Sequence, residues 1–576
     1  MRTKEGRTPG VGGRATIGDA LSLGMKARMA QLREELERRA HAAIQTQLKQ
    51  PKAPWQTRLP PSSALKRQAR PFVNWPIARA EIISPRAQAK AKVLTRHPLA
   101  PGGGGKPQPA RAAEQARSEP VPFEYWGLPP GASVRETPPA SISSQDRASF
   151  NKLITAGSGR AEPGSGEELF ATIGLDFGTS STKIIVRLPY EPGAPTIAVP
   201  APAHCRSEGH PYLWHTVLWV RKSGEFIAWP ESDACQLHSL KQGIMGGHAG
   251  AVVVPNLGGG LGVTREDAAT AFLAFVIRYV RGWLLTNRPH LFRSRRPVWF
   301  VNVGLPAANS DNPSLVSAYR RVAAAALLLA NFDGAVSVET TRLFLAKRQV
   351  AATAESAEEG EELGIAAIPE TAAEVTGFTK STNRAPGVYL MVDVGAMTLD
   401  VCAFRLVQRT ASEDLHAHFA AQVHPLGVEA FHWFLRHGKT EGGFVQQCDH
   451  CIREVVWGTK KNRDPKAACW KKGNDLPVFL VGGGARNNLH RRVVEALGPW
   501  LREYTQNVGI RPLDLPTPKN IDLPVPVADF GRLAVAWGLS YPPSEIGEVL
   551  PPSAIEDIPP AKAIDPSGRF VSKDQV

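Results

Sequence analysis

The chain has 576 residues, 43% of them hydrophobic, with a formal net charge of +15. That length accommodates several domains, and that apolar content suits globular cores rather than a wholly unfolded chain. Six cysteines do not make a disulfide framework at this size; no run of about 18 uncharged apolar residues predicts a membrane span; and the opening MRTKEGRTPGVGG lacks the apolar stretch of a secretory signal, so the expectation is a cytoplasmic protein.

Charge divides the chain. Residues 1–165 carry 27 Lys and Arg against 12 Asp and Glu, whereas the remainder holds 41 of each sign. The first segment is rich in Pro, Gly, Ala and Arg and cannot bury enough apolar surface to offset its chain entropy. It is expected to be a largely disordered basic extension. Within it Met25, Met29, Leu32, Leu36, Ala40, Ala43 and Leu48 recur at helical spacing, predicting one helix near residues 17–50 that ends at Pro51. Phe72-Val73-Asn74-Trp75 and Phe123-Glu124-Tyr125-Trp126 read as short docking anchors. Dispersed positive charge without a recognition fold favours a protein partner over nucleic acid for this extension.

From about residue 168 apolar strands alternate with helical stretches, an α/β pattern. Residues 351–364 are acidic and expected at the surface, and the Pro-rich tail from 542 to 576 is expected to be irregular. The first motif is Ile173-Gly174-Leu175-Asp176-Phe177-Gly178-Thr179-Ser180-Ser181-Thr182-Lys183, leading into Ile184-Ile185-Val186. A strand enters Asp-x-Gly-Thr and a second strand leaves, which makes a tight hairpin. Gly178 has no Cβ and lets the backbone approach a phosphate. The amides and hydroxyls of Thr179, Ser180 and Ser181 can donate to phosphate oxygens. Asp176 is better suited to hydrated Mg²⁺, which takes oxygen ligands and keeps several waters.

A second hairpin of the same form follows at Met391-Val392-Asp393-Val394-Gly395-Ala396-Met397-Thr398-Leu399-Asp400-Val401. Two such hairpins predict an internal duplication, with a phosphate chain clamped between two similar lobes. The third element, Leu480-Val481-Gly482-Gly483-Gly484-Ala485-Arg486, is a strand running into a glycine turn before a helix. Such a turn lets a flat ring approach the backbone, and Arg486 can stack on it.

This set resembles the actin-like ATPase superfamily, and within it most closely the ATPase domain of DnaK-type (heat-shock protein 70) chaperones. The resemblance covers roughly residues 168–541. Phe300–Ala307 is similar to that family's strand ending in Val-Pro-Ala. Ile368-Pro369-Glu370-Thr371-Ala372-Ala373 is similar to its Asn-Glu-Pro-Thr-Ala-Ala helix, His424–Phe431 to its Leu-Gly-Gly-Glu-Asp-Phe segment, and Asp529–Gly538 to its closing helix. The resemblance implies a two-lobed fold of duplicated ribonuclease-H-like domains, with lobes at 166–385 and 386–541. It implies bound ATP and Mg²⁺, with Asp176 and Asp393 flanking the metal through water. Glu370 would orient the attacking water and Thr398 would stand near the γ-phosphate. Gly178, Thr179, Ser180, Ser181, Lys183, Gly395 and Ala396 would line the phosphates; Gly482, Gly483, Gly484 and Arg486 would meet the adenosine. Met397 departs from the family by replacing a glycine. The family's first-lobe lysine has no clear counterpart, Lys241 being a weak one. Only about 35 residues follow the closing helix, too few for a DnaK-type substrate-binding domain.

Cys448-Asp449-His450-Cys451 with Cys469 is half of a zinc pattern, but the second C-x₂-C is missing, and reduced thiols in a loop are the plainer reading. The implied function is an ATP-hydrolysing conformational switch acting on a protein partner or client. A filament-forming scaffold, suggested by the actin-like Lys183, an ATP-sensing module with little turnover, suggested by Met397, and a small-molecule kinase are the rivals.

Overall fold

The computed structural model describes residues 132–133, 142–159, 166–245, 249–257, 262–349, 364–408, 414–505, 508–524 and 530–557. The helix expected near 17–50, the aromatic clusters at 72–75 and 123–126, the acidic stretch 351–363, Asp529 and residues 558–576 lie outside them. What is described is a mixed α/β structure with two principal sheets.

The first sheet is built from β1 (Glu168–Phe177), β2 (Ser181–Arg187), β3 (Thr196–Ala198), β4 (Arg296–Leu305) and β5 (Ile365–Pro369). The second is built from β6 (Gly387–Val394), β7 (Leu399–Gln408), β8 (Asp414–His424), β9 (Leu476–Val481) and β10 (Ile510–Leu513). The first runs β3-β2-β1-β4-β5 and the second β8-β7-β6-β9-β10. In each, the middle strand pairs antiparallel with the strand after it and parallel with the later one. The two halves therefore repeat one strand order, as the paired hairpin motifs predict. β1 and β6 are buried along nearly their whole length, which is why they read as continuous apolar runs rather than alternating ones.

Each sheet gains one short strand from the C-terminal part of the chain. β11 (Ile521–Asp522) pairs parallel with β3, and β12 (Glu548–Leu550) pairs parallel with β8. The expectation of an irregular tail from 542 is thus corrected up to Asp557: Pro543–Ile546 is helical and β12 is a sheet strand.

The boundary at 165 also moves. Helix α1 (Ser144–Ala156) starts on Ser143, whose hydroxyl accepts from the Asp146 amide. It packs on α3 (Arg265–Asn287), whose predecessor in the chain is the short α2 (Leu240–Met245). The α1–α3 contact is backbone on backbone. A Cβ on Gly157 would lie 1.8 Å from the Arg278 carbonyl, and one on Gly282 would lie 1.9 Å from the Leu153 carbonyl. Phe150 is 2% exposed and stands among the rings of His204, Trp214, Trp229, Phe275 and Tyr279, at centroid distances of 5.3–6.4 Å. The end of the basic segment is therefore part of the first core.

Helix α3 is long and apolar enough to cross a bilayer, yet it is buried in the core that the first sheet shares. Its Arg278 donates to the carbonyls of Leu329, Ala330, Phe332 and Gly334 at the C-terminal end of α4 (Pro313–Asn331). A guanidinium at that end satisfies orphan carbonyls and complements the helix dipole. Further helices used below are α5 (Glu370–Thr379), α6 (Val428–Arg436), α7 (Glu441–Gly458), α8 (Asn488–Thr505) and α9 (Ala534–Leu539).

Two fold-level predictions follow from burial. Truncating Phe150 removes a ring from a closed aromatic nest, and Phe150→Ala is expected to cost about 3–5 kcal/mol in urea unfolding of the full chain. On β8, His416 and His418 are wholly buried, and burial pushes them down to about 4 and about 3. A buried neutral imidazole binds fewer protons than the unfolded chain below pH about 6.5, so its contribution is complete above that value and is lost as pH falls toward 4 and 3. Unfolding free energy is expected to drop by a few kcal/mol between pH 6.5 and 4, and His418→Leu to flatten that slope.

Candidate functional site

The site lies where the tips of the two hairpins come together. In the first, Asp176 pairs in register with Lys183, and their side chains form an ion pair at 3.0 Å. The turn between them is anchored by its carbonyls: the Thr216 amide donates to the Ser180 oxygen and the Thr216 hydroxyl to the Gly178 oxygen. A Cβ at Gly178 would sit 2.2 Å from the Ser181 carbonyl, so only glycine closes this turn.

The second hairpin is held in the same manner. Its tip carbonyls at Gly395, Ala396 and Met397 accept from the amides of Val428, Glu429 and Gly427, which open α6. These contacts engage the carbonyls of Gly178, Ser180, Gly395, Ala396 and Met397, and N–H and hydroxyl donors in such turns are the chemistry suited to phosphate oxygens. The first hairpin also reaches the helix that caps the second: the Ser180 hydroxyl donates to Glu429 Oε1 of α6 at 2.9 Å.

The two hairpins differ at one position. Asp393 pairs in register with Asp400, where Asp176 has Lys183. Like charges directly opposite in a sheet repel, and Asp400 Oδ1 is sealed from solvent with no hydrogen-bond partner. Thr398 supports the other side of this carboxyl through a side-chain hydrogen bond.

Helix α5 adds two more carboxylates. Glu370, its first residue, pairs with Lys241 of α2 at 2.7 Å, and both side chains are buried. Gly304 at the end of β4 makes room, since a Cβ there would approach Glu370 to 2.8 Å. One turn along α5, Glu374 is 2% exposed, and its Oε1 has no partner.

Five carboxylates thus act on one another against two ammonium groups, Lys183 and Lys241. Burial, then Glu370 and Asp176, raises Asp393 to about 7. Burial and then Asp393 push Glu374 and Asp400 well above the usual carboxylate range. Burial raises Glu370 too, with Lys241 opposing. Burial works against the charge on Lys241, but Glu370, with Tyr319 and Asp176, outweighs it and holds that ammonium above the ordinary lysine range. This surplus of buried negative charge fits a cation. Among the described residues no group of three or more His, Cys, Asp and Glu is arranged to hold a metal ion directly. A hydrated Mg²⁺ contacted through its waters is the form these residues suit.

The glycine turn lies against the same cluster. Gly482 has φ +83°, and a Cβ there would stand 2.0 Å from Asp393 Oδ1. The Gly484 amide donates to the Val394 carbonyl. Gly483 is open and faces Arg532, whose guanidinium would stand 3.5 Å from a Cβ on it. Arg486 is exposed in the turn ahead of α8, which starts at Asn488. Two arginines therefore flank the glycines.

Asp176, Glu370, Asp393 and Lys183 are brought together as expected, with the Gly482–Gly484 turn beside them. Thr179 and Ala396 are partly exposed at the two tips, and Ser181 is buried at the start of β2. Lys241 proves to be the lysine that meets Glu370. Glu374, Asp400, Glu429 and Arg532 are members of the site beyond those the sequence motifs indicate. Asp400 was within reach, since it follows Asp393 by the spacing that separates Lys183 from Asp176. The cysteines lie elsewhere: Cys448 and Cys451 are on the buried face of α7, and Cys469 is also buried. These are core thiols on a helix rather than loop thiols, and burial pushes Cys448 and Cys469 up to about 12.

No family model matches this chain, and no curated protein matches it.

The Lys241–Glu370 pair gives a direct test of the arrangement. Removing one partner of a buried ion pair strands the other, so Lys241→Met alone is expected to cost about 3–5 kcal/mol. Lys241→Met with Glu370→Leu is expected to cost less than that single change. Equilibrium unfolding of the four proteins of the cycle measures the coupling.

Proposed function

We propose that this chain is an ATP-binding protein with the two-lobed actin-like fold, most similar to the ATPase domain of DnaK-type chaperones, and that it works as an ATP-hydrolysing switch on a protein partner. The observation that carries this reading is the convergence of two hairpins from like-ordered sheets, so that Asp176 and Asp393 share one electrostatic cluster with Lys183, Lys241 and Glu370. In this reading the turn donors at Thr179, Ser180, Ala396 and Met397 take phosphate oxygens. Asp176 and Asp393 hold Mg²⁺ through water, and the metal supplies charge neutralisation for the phosphates. Glu370, fixed by Lys241, orients the attacking water, and Thr398 stands near the terminal phosphate. Gly483, between Arg486 and Arg532, receives the adenine ring. Lobe closure is read through the Ser180–Glu429 contact, and loss of the terminal phosphate releases it.

A second reading, nucleotide sensing with little turnover, is favoured by Met397. Its carbonyl is fixed by the Gly427 amide, and its side chain occupies the tip where a glycine would leave room for phosphate. Calorimetry with Mg-ATP and Mg-ADP tests the proposal. Binding is expected, and Asp393→Ala is expected to weaken it at least about tenfold. Absence of binding to the intact chain would overturn both readings. Binding without measurable phosphate release would select the second.

A further inference from the structure

Helix α4 brings to the carboxylate cluster one polar side chain that no motif indicates. Tyr319 is 2% exposed, and its hydroxyl is sealed from solvent with no hydrogen-bond partner. Burying an unpartnered hydroxyl is destabilising. A phenylalanine would fill the same space with no polar group to satisfy, so packing alone gives no reason for the oxygen.

The surroundings of that oxygen point to one. Helix α4 packs on α2, on β4 and on β5. These three elements deliver Lys241, Gly304 and, directly after β5, Glu370. The Tyr319 hydroxyl is within electrostatic reach of Lys241 and Glu370 and also of Asp400 on the second hairpin. Charges from both hairpin-bearing sheets therefore act on it, which turns the hydroxyl toward the cluster rather than into the apolar core. Burial pushes the phenol above the ordinary tyrosine range, so it stays neutral and keeps an O–H to donate.

Its strongest charged neighbour is also a donor. The Lys241 ammonium carries three N–H groups, and the bond to Glu370 Oε1 at 2.7 Å engages one of them. A hydroxyl and an ammonium side by side suit an oxyanion. Glu370 and Thr398 are the residues that the nucleotide reading sets beside the terminal phosphate, and Tyr319 adjoins the first of them.

Resting on that reading, we propose that the Tyr319 hydroxyl donates to an oxygen of the terminal phosphate, beside Lys241, and so distinguishes a nucleoside triphosphate from a diphosphate. The four-carbon stem of the lysine lets its ammonium turn toward the arriving anion, and the phenol then faces the same oxygen. With a diphosphate the hydroxyl stays unpartnered, and the cost of burying it favours the triphosphate.

Calorimetry on the full chain tests this, with Mg²⁺ and either ADP or the β,γ-imido analogue of ATP, which is not hydrolysed. Tyr319→Phe deletes the hydroxyl and nothing else. It is expected to weaken the triphosphate analogue about tenfold and to leave ADP within about twofold, the difference that one hydrogen bond to a charged group makes. Urea unfolding without nucleotide is expected at the same midpoint as the unaltered chain or a higher one, because the deleted group has no partner. An equal loss for both nucleotides overturns the proposal, as does a lower urea midpoint, which would mean that the hydroxyl is bonded within the protein. Unchanged affinity for both overturns it and leaves the nucleotide reading standing, and so does slower ATP turnover at unchanged affinity, which would assign the hydroxyl to the attacking water. Failure of the unaltered chain to bind either nucleotide removes the reading and the proposal together.

Discussion

The arrangement depends on the crossing of α5 and α9 beside the carboxylate cluster. A Cβ on Gly538 would lie 1.7 Å from the Ala373 carbonyl, and one on Gly174 of β1 would lie 2.2 Å from the Ala536 carbonyl. Strand and two helices are stacked at backbone distance, which only glycine at these two positions allows. The opposite side of α5, through Val375 and Phe378, packs on Tyr389, Met391 and Phe479 of the second sheet. One short helix thus belongs to both halves. Asn302 fixes the far end of α9 by donating to the carbonyls of Leu539 and Tyr541. Glu370 and Glu374 are carried on the helix so clamped, which sets their place relative to Asp176 on one side and Asp393 on the other.

The electrostatics follow from that placement. In the first hairpin the aspartate is neutralised by a lysine across the strand pair; in the second it faces another aspartate. A fold selected only for stability would gain by replacing Asp400 or Glu374 with an apolar residue, because each has a carboxylate oxygen that is sealed and unpaired. Instead each carboxylate raises the proton affinity of the next, and Glu374 and Asp400 stand well above the usual carboxylate range. The glycine turn makes the same point sterically: at Gly482 the backbone itself abuts Asp393, and no side chain intervenes.

Much of this was legible in the sequence because its signals are local. Strand, Asp-x-Gly and strand is a hairpin wherever it falls, and its repetition at Asp393 announced the like-ordered sheets. The Gly482–Gly484 turn was legible for the same reason. The Lys241–Glu370 pair was not, because it joins residues 129 positions apart and Lys241 sits on a short helix with no motif. Glu374 was hidden by its helix, where periodicity cannot distinguish a carboxylate facing a cleft from one facing water. The cysteines show the converse error: a C-x₂-C spacing reads the same in a loop and on a helix, and only the packing of α7 reveals two core residues one turn apart. Helix α1 escaped because its surroundings are Pro- and Gly-rich, and its stabilising contacts with α3 are backbone approaches at glycine.

That last contact has a mechanical meaning. Because Gly157 and Gly282 bring α1 and α3 to backbone distance and Phe150 is enclosed by five rings, α1 is locked to the core of the first sheet. A Cβ at either glycine would wedge the two helices apart and draw Phe150 from its nest.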